Sequence, residues 1–256
     1  MMVNNNLLLQ FLILIPDMDK KIGFVFDLDG TLINSTDIGK IVEKEVYKEF
    51  NIQTDEKMEK EIEKLTYEIM HGENRKHLGT KLMWALFKKV GLSFFQRIKA
   101  LRLANRIFRQ EIPKIKLFEG TQELIQFLDQ NSFNYAIATT SSTKEVDDRL
   151  RKFPDLYKKF EGKIISRDSV RKLKPHPESI NKASAIMNLP LNQIVMCGDM
   201  HSDINMGKNV GAVTIGVLTG IFSREKLSDL NPDFIFESIA EIPKNIEKIK
   251  EKIYNN

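Results

Sequence analysis

The chain carries one cysteine, Cys197, in 256 residues. A single thiol excludes an internal disulfide and a cysteine-based zinc cluster within one chain, and it suits a reducing cytoplasm. A long apolar run is also missing. The run from Leu7 to Ile15, interrupted by Gln10, is only about nine residues long, too short to span a bilayer. No Lys or Arg precedes it, so it lacks the positive start of a secretory signal, and membrane insertion is not expected. Excess charge is absent too: the formal net charge of +4 is too weak by itself to imply nucleic acid. No internal repeat or low-complexity tract interrupts the chain. What is present is ordinary for a globular protein, with 42% apolar and 29% charged residues. The length allows one large domain, or a core domain with a smaller insert.

The small net charge conceals an uneven distribution. Residues 34–70 hold 6 Lys/Arg against 10 Asp/Glu, whereas residues 71–116 hold 12 Lys/Arg against 2 Asp/Glu. The same stretch has few turn residues. Ile41, Val42, Val46 and Phe50 recur at helical steps, a second helix is expected from about Asp55 to Met70, and Phe94, Ile98, Leu101 and Phe108 fall near one face of a third. On another face of that helix Lys99, Arg102, Arg106 and Arg109 form a basic stripe, and Pro113 ends it. Residues 34–116 therefore read as an all-helical block.

Outside the block the pattern changes to short apolar runs separated by helical stretches, the alternation of a parallel sheet covered by helices. The runs are 22–26, 135–139, 163–165, 194–197, 213–217 and 233–236, six expected strands. The fold class is thus α/β, a doubly wound parallel sheet with an inserted all-helical domain. The core is discontinuous, 18–33 and 117–256, and residues 1–17 form an extension outside it.

Chemistry concentrates at the first run. Ile22 to Phe26 leads into Asp27-Leu28-Asp29-Gly30-Thr31. A buried strand that ends there delivers both carboxylates to the sheet edge at which open α/β folds bind ligands, and residues i and i+2 of extended chain face the same way. Two acids in one crevice invite a hard divalent cation, which could also hold a phosphate. Three further segments carry polar groups at the ends of expected strands or between them: Thr139-Thr140-Ser141, Lys174-Pro175-His176-Pro177, and Gly198-Asp199-Met200-His201-Ser202-Asp203.

These four segments, in this order, resemble the motifs of the haloacid dehalogenase superfamily of phosphohydrolases. The resemblance implies that Asp27 is the nucleophile, forming an aspartyl-phosphate, and that Asp29 is the general acid/base. It implies that Thr139, with Thr140 as the adjacent alternative, binds the transferring phosphoryl group. Lys174 would offer positive charge to Asp27 and the phosphoryl oxygens. Mg2+ is the implied cofactor, held by Asp27, the backbone carbonyl of Asp29 and Asp199, with Asp203 acting through water or the Lys174 ammonium. His201 reads as a rim or helix-start residue. Two acids precede Gly30-Thr31, unlike the dehalogenase branch, so phosphoryl chemistry is expected rather than carbon–halogen hydrolysis.

In relatives, an insert between the first and second motifs is a helical cap that closes over the site. Phosphoglycolate phosphatases, β-phosphoglucomutases and some nucleotidases are built this way. Arg75, with His71, is a candidate to bind a carboxylate or second phosphate from the cap, a polar helix start being the equal alternative. The basic half of the insert lacks a nucleic-acid motif, so a solvated face or steering of anionic substrates is expected instead. The resulting expectation is a cytoplasmic Mg2+-dependent phosphatase of a small phosphorylated metabolite, phosphoglycolate-like as a first guess. A phosphomutase, a nucleotidase and a catalytically idle interaction protein are the alternatives. Oligomeric state is not legible.

Overall fold

The structure, a computed structural model, describes residues 21–71 and 78–255. The extension expected at 1–17 and the segment holding Arg75 lie outside the described residues. Six strands, β1 (Gly23–Phe26), β4 (Asn134–Ala138), β5 (Ile164–Ile165), β6 (Ile194–Gly198), β7 (Val213–Val217) and β8 (Phe234–Phe236), form one sheet in the order β5-β4-β1-β6-β7-β8. Every neighbouring pair is parallel. Each strand lies within one residue of an expected apolar run.

Alternation within the strands sorts the interior into two layers. Phe24, Phe26, Tyr135, Ile137, Val195 and Cys197 join one apolar cluster with Leu124 and Leu128 of α5 (Thr121–Gln130) and Ile249 of α11 (Ile246–Tyr254). Their sequence neighbours Val25, Ala136, Ala138, Ile194 and Met196 point to the other face, against Ile180 and Ala183 of α8 (Glu178–Met187). Residues buried on both faces explain why the strands read as unbroken apolar runs. Phe24 anchors the first layer, stacked on Phe26 at 6.0 Å and edge-on to Phe133 at 5.7 Å.

The helical insert leaves and rejoins the core at a two-stranded antiparallel ribbon, β2 (Ile33–Asn34) with β3 (Lys116–Leu117), in which Ile33 opposes Leu117. Strands of two residues each give no periodic signal, and the sequence did not announce them. Four helices follow β2: α1 (Thr36–Glu49), α2 (Glu56–His71), α3 (Leu78–Lys89) and α4 (Phe94–Glu111). Asp55 caps α2 by accepting from the Met58 N–H at 2.7 Å, and Ser93 caps α4 with Gln96 closing a reciprocal pair. On α1 the buried residues are Ile38, Val42 and Val46; on α4 they are Ala100, Ala104 and Ile107. Of the expected α4 face, Leu101 and Phe108 pack against the core beside the fully buried Ala100 and Ala104, whereas Phe94 is 55% exposed at the helix start, where it meets Trp84 edge-on at 5.6 Å. Lys99, Arg102, Arg106 and Arg109 are all exposed, as the basic stripe requires. Among the described residues no helix is long and apolar enough to cross a membrane.

Phe24→Ala opens a cavity between β1, Phe26 and Phe133, so it is expected to lower unfolding free energy by about 3–5 kcal/mol. Chemical denaturation monitored by circular dichroism checks this, and a loss below about 1 kcal/mol would contradict the packing described.

Candidate active site

Parallel pairing decides where the polar segments go. Phe26 lies in register with Ile137 on β4 and with Cys197 on β6. Asp27 therefore falls opposite Ala138 and Gly198, and Thr139 and Asp199 follow one residue further on, so the ends of the three neighbouring strands bring these groups to one edge of the sheet. The Asp27 N–H donates to the Cys197 carbonyl at 2.8 Å and the Thr139 N–H to the Ile165 carbonyl at 3.0 Å, so the ladder runs to the last residue before each loop. Chain order reverses about β1, since β4 and β5 lie on one side and β6, β7 and β8 on the other. That is the switch point at which such sheets open a crevice.

Lys174 reaches this edge from the loop before α8. Its ammonium donates to Asp27 Oδ1 at 2.6 Å, Asp203 Oδ1 at 2.5 Å and the Ala138 carbonyl at 2.9 Å, three acceptors for three protons. Asp203 sits in the first turn of α9 (His201–Lys208), and its Oδ2 accepts from the Met200 N–H at 3.1 Å. Asp199 accepts from Thr31 Oγ1 at 3.3 Å. Asp27, Asp199 and Asp203, all buried, each place one ligand oxygen within 4.8 Å of the others.

Electrostatics make this cluster costly by itself. Burial pushes the Asp27 carboxyl up to about 7; the Lys174 ammonium holds it down and Asp203 adds to the rise. Burial, with Asp27 and Asp203 beside it, drives Asp199 well above the usual carboxylate range. Burial by itself lowers Lys174, but the Asp203 and Asp27 carboxylates more than reverse this and hold it charged. Three carboxylates against one ammonium leave two negative charges when all are ionised. Oxygen donors with that charge fit a hard divalent cation.

Two glycines make room for Asp199. Gly30, at φ +86°, would place a Cβ 2.5 Å from Asp199 Oδ2, and Gly220, in the loop after β7, would place one at 1.8 Å. Thr219 Oγ1 donates to the Gly30 carbonyl at 2.6 Å and ties the two loops together.

Asp29 lies apart from the cluster. Its Oδ2 accepts from Ser141 Oγ at 2.8 Å, and its Oδ1 is 3.3 Å from Arg149 Nε. Thr139 is buried, with its Oγ1 accepting from the Ser141 N–H at 3.0 Å, which leaves the hydroxyl proton free to donate. Thr140 beside it is half-buried. His201 opens α9 but is buried rather than on a rim, edge-on to Phe222 at 6.2 Å. His71 is the last residue of α2. The sequence did not single out Ser141, Arg149 or Gly220. Ser141 closes a flagged segment but drew no role there, whereas Arg149 is one of 39 basic residues and Gly220 one of 13 glycines, with no local signal for either.

Residues 24–217 match the family described as "Haloacid dehalogenase-like hydrolase". The pyrophosphatase PpaX of Anoxybacillus flavithermus is 28% identical over 220 residues, covering 85% of this chain and 93% of that one. Solved structures share the fold. A predicted phosphoglycolate phosphatase from Haemophilus somnus superposes with a TM-score of 0.69 at 22% identity, covering 89% of this chain and 98% of that one. A Thermotoga maritima protein bearing the name of a β-phosphoglucomutase does so with a TM-score of 0.65 at 19% identity, covering 89% and 99%.

Two outcomes follow from the charge balance. Because a cation must displace protons from carboxyls raised to about 7 (Asp27) or beyond the carboxylate range (Asp199), Mg2+ affinity is expected to rise with pH, about tenfold per unit for each proton displaced, between pH 5 and 6.5. Calorimetric titration across that range checks it, and a flat profile would contradict it. Gly220→Ala is expected to abolish Mg2+ binding in the same titration. Gly39→Ala, in helix α1 with nothing within 4 Å of the new methyl, is expected to leave it unchanged.

Proposed function

The chain belongs to the haloacid dehalogenase-like hydrolase family, and from that premise we propose that it is a Mg2+-dependent phosphatase of a small phosphomonoester, phosphoglycolate-like in the first instance, working through an aspartyl-phosphate on Asp27. The observation that carries this reading is the buried Lys174 ammonium bridging Asp27 and Asp203 beside Asp199, at the ends of adjacent parallel strands.

Lys174 occupies Asp27 Oδ1, leaving Oδ2 to attack phosphorus. As the Oδ2–P bond forms and the P–O bond to the leaving group breaks, Asp29 gives its proton to the departing oxygen. Asp29 then takes a proton from water, which attacks phosphorus and breaks the Asp27–P bond, returning both carboxylates to their starting states. Charge spread over the phosphoryl oxygens is met by Lys174 and the Thr139 hydroxyl, with Thr140 alongside. Asp27, Asp199 and the backbone carbonyl of Asp29 would hold Mg2+, which supplies further charge neutralisation when bound, and Asp203 acts through Lys174. Residues 34–116 serve as the cap over a core of 18–33 and 117–256, with 1–17 as an extension. In the cap, Arg75 and His71 bind a carboxylate or second phosphate of the substrate. A reducing cytoplasm suits the single buried cysteine, whose thiol burial pushes up and makes inert.

Likeness to the protein named as a β-phosphoglucomutase favours a second reading, in which the same aspartyl-phosphate returns the phosphoryl group to a sugar. The name of the PpaX relative adds pyrophosphate to the substrates worth testing.

Phosphate release from a panel of small phosphomonoesters and pyrophosphate, with Mg2+ or EDTA, is expected to need the metal. Asp27→Asn is expected to reduce it by at least about a thousandfold. Release that survives Asp27→Asn would overturn the aspartyl-phosphate route. Sugar-phosphate isomerisation without phosphate release would select the mutase.

A further inference from the structure

Asp29 differs from the other acids of the site in what holds it. The Lys174 ammonium fixes Asp27 and Asp203, and two glycine backbones with Thr31 enclose Asp199. Asp29 stands on the loop beyond β1 with its side chain 26% exposed, and it receives none of the three hydrogen bonds that ammonium donates. A short acidic side chain facing a crevice samples several rotamers unless something restrains it.

The restraint comes from a different element. Arg149 projects from α6 (Thr143–Leu150), an eight-residue helix whose start is locked by a reciprocal pair between Ser142 and Glu145 and whose Val146 and Leu150 are buried. Its Nη1 donates to Ser141 Oγ at 2.8 Å; the same hydroxyl donates to Asp29 Oδ2 at 2.8 Å. Its Nε lies 3.3 Å from Asp29 Oδ1, an ion pair in which neither Nε nor Oδ1 completes a hydrogen bond. The Arg149 side chain is 16% exposed, unlike the arginines of the α4 stripe, and its flat fork spans hydroxyl and carboxylate together. One oxygen of Asp29 is thus tied through Ser141. The other, Oδ1, is buried against the guanidinium and held by charge alone, which fixes the carboxyl plane and leaves the Oδ2 side of the group facing the crevice.

We propose that Arg149 is a positioning residue for Asp29, acting directly and through Ser141 to hold its carboxyl where the leaving group departs. The proposal rests on Asp29 being the general acid/base. It makes a demand that a merely structural arginine does not. Proton delivery matters for an alkoxide, which leaves poorly unprotonated, and matters little for p-nitrophenolate, already a stable anion.

The test compares kcat on the best alkyl phosphomonoester of the panel with kcat on p-nitrophenyl phosphate, in the full-length Mg2+-loaded enzyme. Arg149→Met is expected to lower the alkyl rate about a hundredfold and the p-nitrophenyl rate less than about threefold, with little change in KM. Arg149→Lys, which keeps the charge without the fork, is expected to recover part of the alkyl rate. Ser141→Ala, a smaller perturbation that serves if Arg149→Met fails to fold, is expected to show the same split at reduced size. Equal losses on both substrates, or no loss, would overturn the role of Arg149. Asp29→Asn run alongside separates the two levels. A split there without one in Arg149→Met defeats the positioning proposal alone, and no split in Asp29→Asn removes the acid/base premise and the proposal with it.

Discussion

A buried ammonium holds this site together. Lys174 is 3% exposed and spends all three protons on acceptors from three different parts of the chain: Asp27 after β1, the Ala138 carbonyl at the end of β4, and Asp203 in α9. Removing charges from water is expensive, and a buried pair is tolerated only when geometry and hydrogen bonding are nearly complete. They are nearly complete here because the neighbouring ends of β1 and β4, and of the helix that follows β6, place three acceptors within one ammonium's reach. The sheet thus sets the site, and the site in turn constrains the loops, since displacing any one of them leaves a buried charge unpartnered.

The balance is complete for Asp27 and Asp203 and unfinished for Asp199. That carboxylate is wedged between two glycine backbones, accepts from Thr31, and gains nothing from Lys174 by direct contact. An acid buried so tightly, at odds with its neighbours' charge, is an oxygen donor suited to a hard divalent cation.

Legibility divided along the same line. Buried strands read as apolar runs because both their faces are covered, and every one lay within a residue of its expected position. Helices α1, α2 and α4 were visible through periodicity. The finer detail of α4 was not: its most buried residues include Ala100 and Ala104, whose small side chains carry little weight in a pattern of large apolar residues, while Phe94, expected on the same face as Leu101 and Phe108, is exposed. The ribbon of β2 and β3 went unseen because two residues have no period. Of the site, the acids and Lys174 could be located from the segments around them. Ser141, Arg149 and Gly220 could not: Ser141 and Arg149 act on Asp29, more than 100 positions away, and Gly220 makes room for Asp199 from a different loop, with nothing local to mark it.

By itself the sequence determined which segments are buried strands, which acids stand at their ends and that the thiol has no partner, because strand burial and motif spacing are local properties written in consecutive residues. The tertiary structure decided which of those acids share a cation-sized space and which one turns away to Ser141 and Arg149. That choice depends on strand order and register, and no run of consecutive residues encodes which strands become neighbours.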